Sequence, residues 1–521
     1  MTKNRFDTGK FAATRRQFLG GSLGLGAGAI VGFGAATMPA AHAQARRGGT
    51  LRMAYPNPVD KIDPHATLSV AGQQLANSIF DNLTDLDAKG TLTPRLATEW
   101  TPEKGGEEWV FKLREGVKFH HGKEFTSEDV VATVEHTMDK AVAGPSLGTF
   151  GPIKEVKAEG PHQVRFILTQ RFGQLPTAFA SRWARIVPAD RVGKMADGPV
   201  GTGPFLFKDH QPGATTTVVR NENYWMKDKP YLDGIQYMQL AESVAQQAAL
   251  RGGSVDVVNQ ISSEAYFSLR NVDGIVAYSE PTARYQILFL QANMAPFDNV
   301  KLRQAFRFII DRKALLQSAL LGQGVIGNDT PLLPTDPMYP ADLPQNDQDL
   351  AKAQAMLKEA GVENLALTAW TTSERPPAPK MLLALQEPAA RLGIKIDIRD
   401  VPFTEYSANV ARKQSMYTTQ WTGYYTDYER LYKSFHSKGG SNYSAVETAP
   451  GLDALLEDII AEVDDAKRKE LMAKALPLIH SSSDRIIPYF QNFFGATVNK
   501  LKGYTPPQSD LIDVRELWFE A

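Results

Sequence analysis

The sequence predicts an α/β protein that is built from several lobes. Its 521 residues exceed what one hydrophobic core usually organises, at roughly 100–200 residues per domain. Strand-like and helix-like patterns alternate along the chain with short Gly and Pro punctuation, which is typical of α/β architectures. The composition, with 43% apolar and 22% charged residues, is that of a globular protein.

The first segment has the pattern of an export signal. Arg15 and Arg16 precede a Gly- and Ala-rich apolar run, which ends in the small-x-small sequence Ala41-His42-Ala43. Paired arginines before a mild apolar stretch are typical of a twin-arginine signal peptide, and we expect cleavage near Ala43. A retained amphipathic or membrane-spanning helix is the alternative interpretation.

Removal of residues 1–43 changes the formal net charge from −1 to −5, because five basic residues and one acidic residue are lost. A mildly acidic chain gives no electrostatic case for nucleic-acid binding. No later run is long and apolar enough to predict a membrane span. The absence of cysteine excludes disulfides, thiol nucleophiles and an acylated-cysteine anchor, so we expect a periplasmic protein that is not lipid-anchored.

Two elements are predicted in the first third of the chain. Residues 109–114 have apolar side chains at alternate positions, which predicts a half-buried strand. A helix is expected to begin near Glu128, with Thr126 or Ser127 as its N-cap.

Four more elements are predicted in the second half. Apolar residues at helical spacing predict one continuous helix over about 300–321 and another that ends at Ala360. Strict alternation of Ile with charged residues predicts a strand over 394–399. A further helix is expected over about 452–462.

Several motif matches lack the context that their chemistry needs. Residues 322–327 fit GxGxxG, but a predicted helix precedes them where a dinucleotide site requires a strand. Residues 144–148 fit GxSxG, but they also follow a helix, unlike a nucleophile elbow. His120 and His121 are adjacent, so they would point to opposite faces and chelate one ion poorly. No cofactor or metal is therefore expected, and an exported enzyme is a second hypothesis with little support.

A series of short motifs runs through the chain in a fixed order. Residues 62–65 read IDPH and residues 94–100 read PRLATEW. Residues 111–122 read FKLREGVKFHHG, and FTSEDV follows at 125–130. The later motifs are GTGPF at 201–205, NENYW at 221–225, PFDNVKLRQA at 296–305 and DR at 311–312.

This ordered set resembles the dipeptide/oligopeptide-binding family of ABC importer solute-binding proteins, family 5. The resemblance implies a periplasmic binding protein-like fold of class II and the large three-lobed type, with hinge-linked lobes that enclose the ligand. The implied lobes are lobe I (residues 44–83, 197–282 and 496–521), lobe II (84–196) and lobe III (283–495).

The same resemblance implies a non-enzymatic monomer that captures a peptide or a similar small polar solute. Its implied partners are the ABC permease subunits with their cytoplasmic ATPase subunits, and the twin-arginine translocase during export. Receptors of this fold for an opine, an amino-acid conjugate, a glycoside, a nickel chelate or haem are open alternatives.

Residues 420–427 resemble the ligand-lining "GWxxD…DP" segment of the family. The resemblance implies that Trp421 stacks on the solute, although a core tryptophan is the alternative. Peptide-binding members carry an aspartate, which pairs with the peptide ammonium, where this chain has Tyr424. A second acidic position is retained as Asp427. A neutral tyrosine weakens the case for an ordinary free peptide.

Four further residues are candidate ligand contacts. Trp370 and Arg375 follow a strand-like segment where contacts from the third lobe are expected, and Arg375 could clamp a carboxylate. Tyr285 lies where the chain is expected to cross into the third lobe. Trp183, with arginines close by in sequence, could present an aromatic and cationic surface from the second lobe. Structural roles in the core or at the surface are the alternatives for all four.

Overall fold

The computed structural model describes residues 45–87, 90–141, 144–375, 377–421, 426–506 and 511–520. The described strands are β1 (Thr50–Tyr55), β2 (Thr84–Leu86), β3 (Leu92–Pro94), β4 (Ala97–Glu103), β5 (Glu108–Leu113), β6 (Ile153–Ala158), β7 (Gln163–Leu168), β8 (Phe205–Gln211), β9 (Thr215–Arg220), β10 (Gly234–Gln239), β11 (Val257–Asn259), β12 (Ile275–Leu290), β13 (Gly324–Ile326), β14 (Leu365–Thr371), β15 (Ile394–Asp400), β16 (Met416–Trp421), β17 (Arg485–Ile486), β18 (Tyr489–Val498), β19 (Leu501–Lys502) and β20 (Trp518–Phe519).

The described α-helices are α1 (Val70–Ile79), α2 (Ser127–Met138), α3 (Leu175–Ala178), α4 (Ser243–Arg251), α5 (Ser263–Leu269), α6 (Val300–Arg307), α7 (Arg312–Leu320), α8 (Leu350–Glu359), α9 (Ala378–Arg391), α10 (Phe403–Glu405), α11 (Lys433–Phe435), α12 (Leu452–Ala461) and α13 (Asp465–Ser482). Short π-helical turns occupy Tyr406–Val410 and Tyr428–Tyr432. Within these described residues, no helix is long and apolar enough to cross a membrane.

The largest sheet has the strand order β15-β14-β16-β12-β18-β11-β1-β10-β9-β8, and β13 and β17 pair with its two central strands. The centre is a long antiparallel ladder of β12 and β18, which runs from the pair Ile275 and Val498 to the pair Tyr285 and Phe490. The register shifts between Pro281 and Arg284, so one irregularity interrupts the ladder. These two strands therefore connect both halves of the sheet.

Separate hydrophobic clusters pack around this frame. One lies against β1, β10 and α1, and another encloses the antiparallel sheet β4-β5-β7-β6. A third packs α6, α7 and α9 against β12, β14 and β16. The fold class predicted from the sequence, a mixed α/β periplasmic binding protein-like architecture, is confirmed. The residue boundaries of the three lobes stay a prediction.

Local predictions are confirmed where one pattern dominates. The strand predicted at 109–114 is β5, and Phe111 on its apolar face is fully buried. The helix predicted near Glu128 is α2, with Thr126 as N-cap in a capping box with Asp129. The predicted helix end at Ala360, strand at 394–399 and helix at 452–462 correspond to α8, β15 and α12.

The single helix predicted over 300–321 is wrong, because the structure contains two helices there. α6 ends at Arg307, and α7 starts after Asp311, whose side chain accepts a hydrogen bond from the amide of Ala314 at 2.9 Å. The new N-cap lets Arg312 turn inward, where its guanidinium lies 2.8 Å from the buried Asp329. Apolar periodicity continued across the break, so it did not reveal the second cap.

The motifs without a suitable context have other roles. The GxGxxG match contains β13, which pairs with β18. His120 contacts the carbonyl of Gly203 through Nε2 at 3.1 Å, and its Nδ1 accepts the amide of Gly201. Burial lowers the pKa of His120 to about 4. His120 is therefore a neutral histidine with a hydrogen bond at each ring nitrogen.

Candidate functional site

The strands β12, β16 and β18 present two different surfaces at the same end of the sheet. In the ladder of β12 and β16, Tyr285 is opposite Trp421 and Gln286 is opposite Gln420. Neighbouring residues of a strand point to opposite faces, so the side chains of these two pairs lie on opposite faces of the sheet. We call the first surface the aromatic face. Its central residues are Tyr285, Phe289, Tyr417, Trp421 and Phe490.

Trp421 is enclosed within the aromatic face, with 8% of its surface exposed. Its ring centroid lies 5.8 Å from that of Phe289 and 5.8 Å from that of Tyr443, with edge-to-face interplanar angles of 64° and 81°. The guanidinium carbon of Arg485 lies 4.7 Å from the indole centroid, within cation–π range. Tyr285 also contacts this indole, at 6.4 Å between ring centroids.

Arg485 is a buried cation that the sequence analysis did not single out. Its guanidinium packs against the rings of Phe289 and Phe435 as well as Trp421, and it donates to the carbonyl of Ser441 at 3.0 Å. Its Nε lies 3.2 Å from a carboxylate oxygen of the adjacent Asp484. These contacts compensate a charge that would be costly to bury alone.

Trp370 and Arg375 lie at the edge of the aromatic face. Trp370 is half-buried, pairs with Tyr417 in the ladder of β14 and β16, and packs against the cluster. Arg375 is exposed, and its guanidinium carbon lies 4.0 Å from the ring centroid of Phe403. Phe403 itself packs against the aromatic face. The structure thus brings Trp370, Tyr285 and Trp421 together, with Arg375 nearby.

Asp427 occupies a different place, a junction with the loop before α3. One carboxylate oxygen accepts from the side-chain amide of Gln174 at 2.7 Å, and the other accepts from Arg430 at 2.6 Å. Arg468 lies 3.2 Å from the same carboxylate. Gln174 in turn accepts the backbone amides of Asp427 and Tyr428. The carboxylate has 2% exposure and is compensated by these partners, and its predicted ligand role stays a prediction.

The remaining predicted residues lie elsewhere or outside the described residues. Trp183 is half-buried, and its indole nitrogen donates to the carbonyl of Thr67 at 3.4 Å. Tyr424 lies outside the described residues, as do the predicted signal residues Arg15, Arg16 and Ala43.

The opposite face of the same strands borders a cavity of about 310 Å³, which we call the polar groove. Its walls come from the loop after β11 and the start of α5, from the end of α7 and the start of α9, and from β12, β16 and β18. Its polar lining residues are Gln260, Ser262, Ser263, Glu264, Thr282, Arg284, Lys380, Gln420, Gln491 and Asn492.

The polar groove is ordered by side-chain amides. Gln420 donates to the side-chain oxygen of Gln491 at 2.8 Å, and Asn492 donates to the hydroxyl of Ser279 at 2.9 Å. Gln260 has a positive φ of 61°, a backbone conformation that is uncommon outside glycine and often found at functional sites. Position 260 is where the chain enters the groove from β11.

Two charged residues of the polar groove, Glu264 and Lys380, interact with each other. The backbone amide of Glu264 contributes most to lowering the pKa of its carboxyl, and the hydroxyls of Ser262 and Ser263 and the charge of Lys380 lower it further. Lys380 also donates to the carbonyl of Ser318 at 3.2 Å, in the last turn of α7. The groove therefore places a carboxylate and an ammonium on segments more than one hundred residues apart.

The polar groove was not predicted from the sequence. Gln420 is adjacent to Trp421, and period-two alternation would have placed it on the opposite face. Nothing local in the sequence indicates that Gln260 and Lys380 converge with it, because their proximity depends on the tertiary fold. Within the described ranges, no cluster of three or more His, Asp or Glu side chains is placed to hold a metal ion.

The molecule has separate packed cores, two long strands that connect them, and a polar groove between them. These features are typical of the class of proteins that enclose a small solute. The comparison with protein families agrees. The model for "Bacterial extracellular solute-binding proteins, family 5 Middle" matches residues 91–443. The chain therefore belongs to the family 5 bacterial extracellular solute-binding proteins.

Individual relatives extend this finding. The glutathione-binding protein GsiB of Escherichia coli K12 is 26% identical over 458 residues, which cover 85% of this chain and 89% of that protein. The agropinic-acid complex of AgaA from Agrobacterium tumefaciens R10 aligns with a TM-score of 0.77 at 24% identity, over 91% of this chain and 99% of that one. DppA from Helicobacter pylori, in complex with the peptide STSA, aligns over the same shares with a TM-score of 0.76, also at 24% identity.

The structural likenesses establish the fold, and the match to the family model establishes the receptor class. Members of the family are periplasmic solute-binding proteins of ABC importers, which work with permease and ATPase subunits. The predicted family and its transport function are confirmed at this level.

Proposed function

We propose that this chain captures a peptide-like small polar solute in the polar groove by lobe closure and delivers it to an ABC permease. The carrying observation is the position of the groove at the irregularity between Pro281 and Arg284, where β12 and β18 run from one core to the next. A small rotation about these strands would narrow or widen the groove. Closure would exclude water, so each amide contact to the solute would contribute more to the free energy of binding.

We also propose how the protein is exported to the periplasm. Arg15 and Arg16 would direct export by the twin-arginine translocase, and cleavage would occur near Ala43. The mature receptor would act as a monomer. It would be free in the periplasm, because the sequence has no cysteine to which a lipid could be attached.

Thermal unfolding with a panel of solutes tests the proposal. The panel contains dipeptides, tripeptides, glutathione, opines, N-acylated amino-acid amides, glycosides, nickel chelates and haem. A true ligand stabilises the protein by about 2.7 kcal/mol at one hundred times its Kd, following RT ln(1 + [L]/Kd). Gln491→Ala should weaken that stabilisation, whereas Gln348→Ala, distant in sequence from the groove residues, should not. If no solute gives a saturable shift, the proposed function is refuted.

A further inference from the structure

The small sheet β4-β5-β7-β6 is fixed to the part of the molecule that surrounds β1. The amide of His120, after β5, donates to the carbonyl of Gly201 at 2.9 Å. The amide of Ile186, which packs in the core of the small sheet, donates to the carbonyl of Asp81 at 3.0 Å. Asp81 follows α1, and Gly201 precedes β8. Two separate backbone contacts therefore keep the small sheet from turning freely relative to α1 and β8.

The same sheet also touches α12, at a contact that we call the junction. The junction joins residues 172–174 to residues 427–428 and to the end of α12 at 460–462. The amide of Gly173 donates to the carbonyl of Ile460 at 2.8 Å. A Cβ atom at position 173 would lie 1.9 Å from the carbonyl oxygen of Glu462. Backbone therefore meets backbone here, and the two segments cannot approach more closely.

Gln174 and Asp427 satisfy each other within the junction, and both are buried. The side-chain nitrogen of Gln174 donates to the carboxylate of Asp427 at 2.7 Å. The side-chain oxygen of Gln174 accepts the backbone amides of Asp427 at 2.7 Å and Tyr428 at 3.2 Å. If the two segments separated, these polar groups would exchange their partners for water. A contact of this kind can therefore form and break reversibly.

The helices on the other side of the junction are fixed to α6. α12 and α13 pack in one hydrophobic cluster, and the guanidinium of Arg303 in α6 donates to the carbonyl of Ser482 in α13 at 3.1 Å. A rotation about β12 and β18 that carries α6 and α13 away from β1 would therefore displace α12 relative to the small sheet. Since Gly173 allows no closer approach, that displacement can only part the junction.

We infer that the junction is a latch, which forms when the lobes close on a solute and breaks when the polar groove opens. This inference rests on the lobe closure of the proposed function and adds a positioning role for Gln174 and Asp427. They set the balance between the closed and open states without touching the solute. A receptor whose closed state is only partly populated binds with an apparent Kd that is raised in proportion. A weaker latch should therefore weaken the binding of every solute by one common factor.

The distance between the small sheet and α13 tests the latch without any solute. The chain has no cysteine of its own, so Lys154→Cys on β6 and Lys474→Cys on α13, both exposed positions, accept spin labels at two defined places. Double electron–electron resonance then gives the distribution of label distances. Gln174→Ala should raise the ratio of long to short distances about tenfold, the effect expected for the loss of a hydrogen bond to a carboxylate.

Gln163→Ala is the matched control. Gln163 also donates to a carboxylate, that of Glu159 at 2.6 Å, but this pair lies within the small sheet and its β6–β7 turn. Its label distances should equal those of the labelled parent. Gly173→Ala is a second test, because the added methyl group would collide with the carbonyl of Glu462 and should lengthen the distances in the same way. Unchanged distances in whichever of Gln174→Ala and Gly173→Ala fold would overturn the inference.

Titration calorimetry with the solutes that stabilise the protein in the thermal panel adds a functional readout. Gln174→Ala should raise the Kd of each solute by the same factor, up to about tenfold, and a saturating solute should restore the short label distance. Weaker binding of some solutes alone would show that Gln174 contacts the solute, and would overturn the inference. If the whole panel fails to bind, the proposed function fails, whereas the label distances still decide whether the junction is a latch.

Discussion

At one end of the β12–β16–β18 ladder, the alternation of side chains along each strand produces two different faces, one packed with aromatic rings and the other polar. On the aromatic face, Phe289 and Tyr417 are fully buried and stack at 5.0 Å between ring centroids. On the other face, Gln420 is half-buried and borders an open cavity. At this end of the ladder the neighbours Trp421 and Gln420 therefore divide between a packed core and a polar surface, whereas farther along the face of Gln420 the side chains of Leu288 and Met416 lie in a second core.

This contrast shows why an aromatic residue in a ligand-lining segment is ambiguous. Trp421 packs against Arg485, Phe289 and Tyr443 within the protein. Those contacts stabilise the fold whether or not a solute stacks on the indole. Gln420 makes one hydrogen bond and leaves the rest of its amide available to the groove. Stability and recognition can thus be separated by mutation.

The largest effect is expected from the aromatic face. Phe289→Ala should lower the free energy of unfolding by about 3–5 kcal/mol, because it leaves a cavity among Tyr417, Tyr443 and Arg485. Denaturant unfolding measures this change. Leu383→Ala on α9, where 59% of the side chain is exposed, should stay within about 0.5 kcal/mol. A similarly small loss for Phe289→Ala would show that this face is not a core.

An intermediate effect is expected at alkaline pH. Tyr406 donates to the carbonyl of Thr418 at 2.6 Å, and burial raises its pKa from 10.0 to about 12. The folded state keeps a proton that the unfolded chain releases, so stability is retained below pH 10.0 and falls as the pH rises toward 12. The full loss is at most about 3 kcal/mol, since a tenfold change in proton affinity is worth about 1.4 kcal/mol.

Tyr406→Phe isolates this contribution. The variant should have a flatter decline of stability between pH 10.0 and about 12, measured by urea unfolding at several pH values. Near neutral pH it should lose about 1 kcal/mol for the missing hydrogen bond. Parallel alkaline profiles for the two proteins would contradict the assignment, because the buried hydroxyl would then not contribute to the slope.

Elements defined by one local pattern were predictable from the sequence. The alternation in β5 and the capping box of α2 are encoded within a few residues. The break between α6 and α7 was missed, because Asp311 interrupts a helix whose apolar spacing continues on both sides. The apolar spacing therefore indicated one helix and the capping residue Asp311 indicated two, and the structure has two.

The candidate site was less predictable than the fold. Trp421 was predicted as a ligand contact from a motif and Tyr285 from its expected position at a crossover, and both ligand roles stay predictions. The polar groove depends on Gln260, Lys380 and Gln491, which are far apart in sequence and have no motif in common. Only the tertiary arrangement of β11, α9 and β18 brings these side chains together.

The smallest change in stability is expected on the groove side, at Gln420→Ala. The side chain is half-buried and makes one hydrogen bond, to Gln491, so the free energy of unfolding should fall by about 1 kcal/mol or less. Binding of the strongest panel solute should nevertheless weaken about tenfold by calorimetry, because an amide that faces the solute is lost. Gln414→Ala, another half-buried glutamine with one hydrogen bond, should lose similar stability but no affinity. Unchanged binding in Gln420→Ala would mean that the groove face does not recognise the solute and that the two faces differ in packing alone.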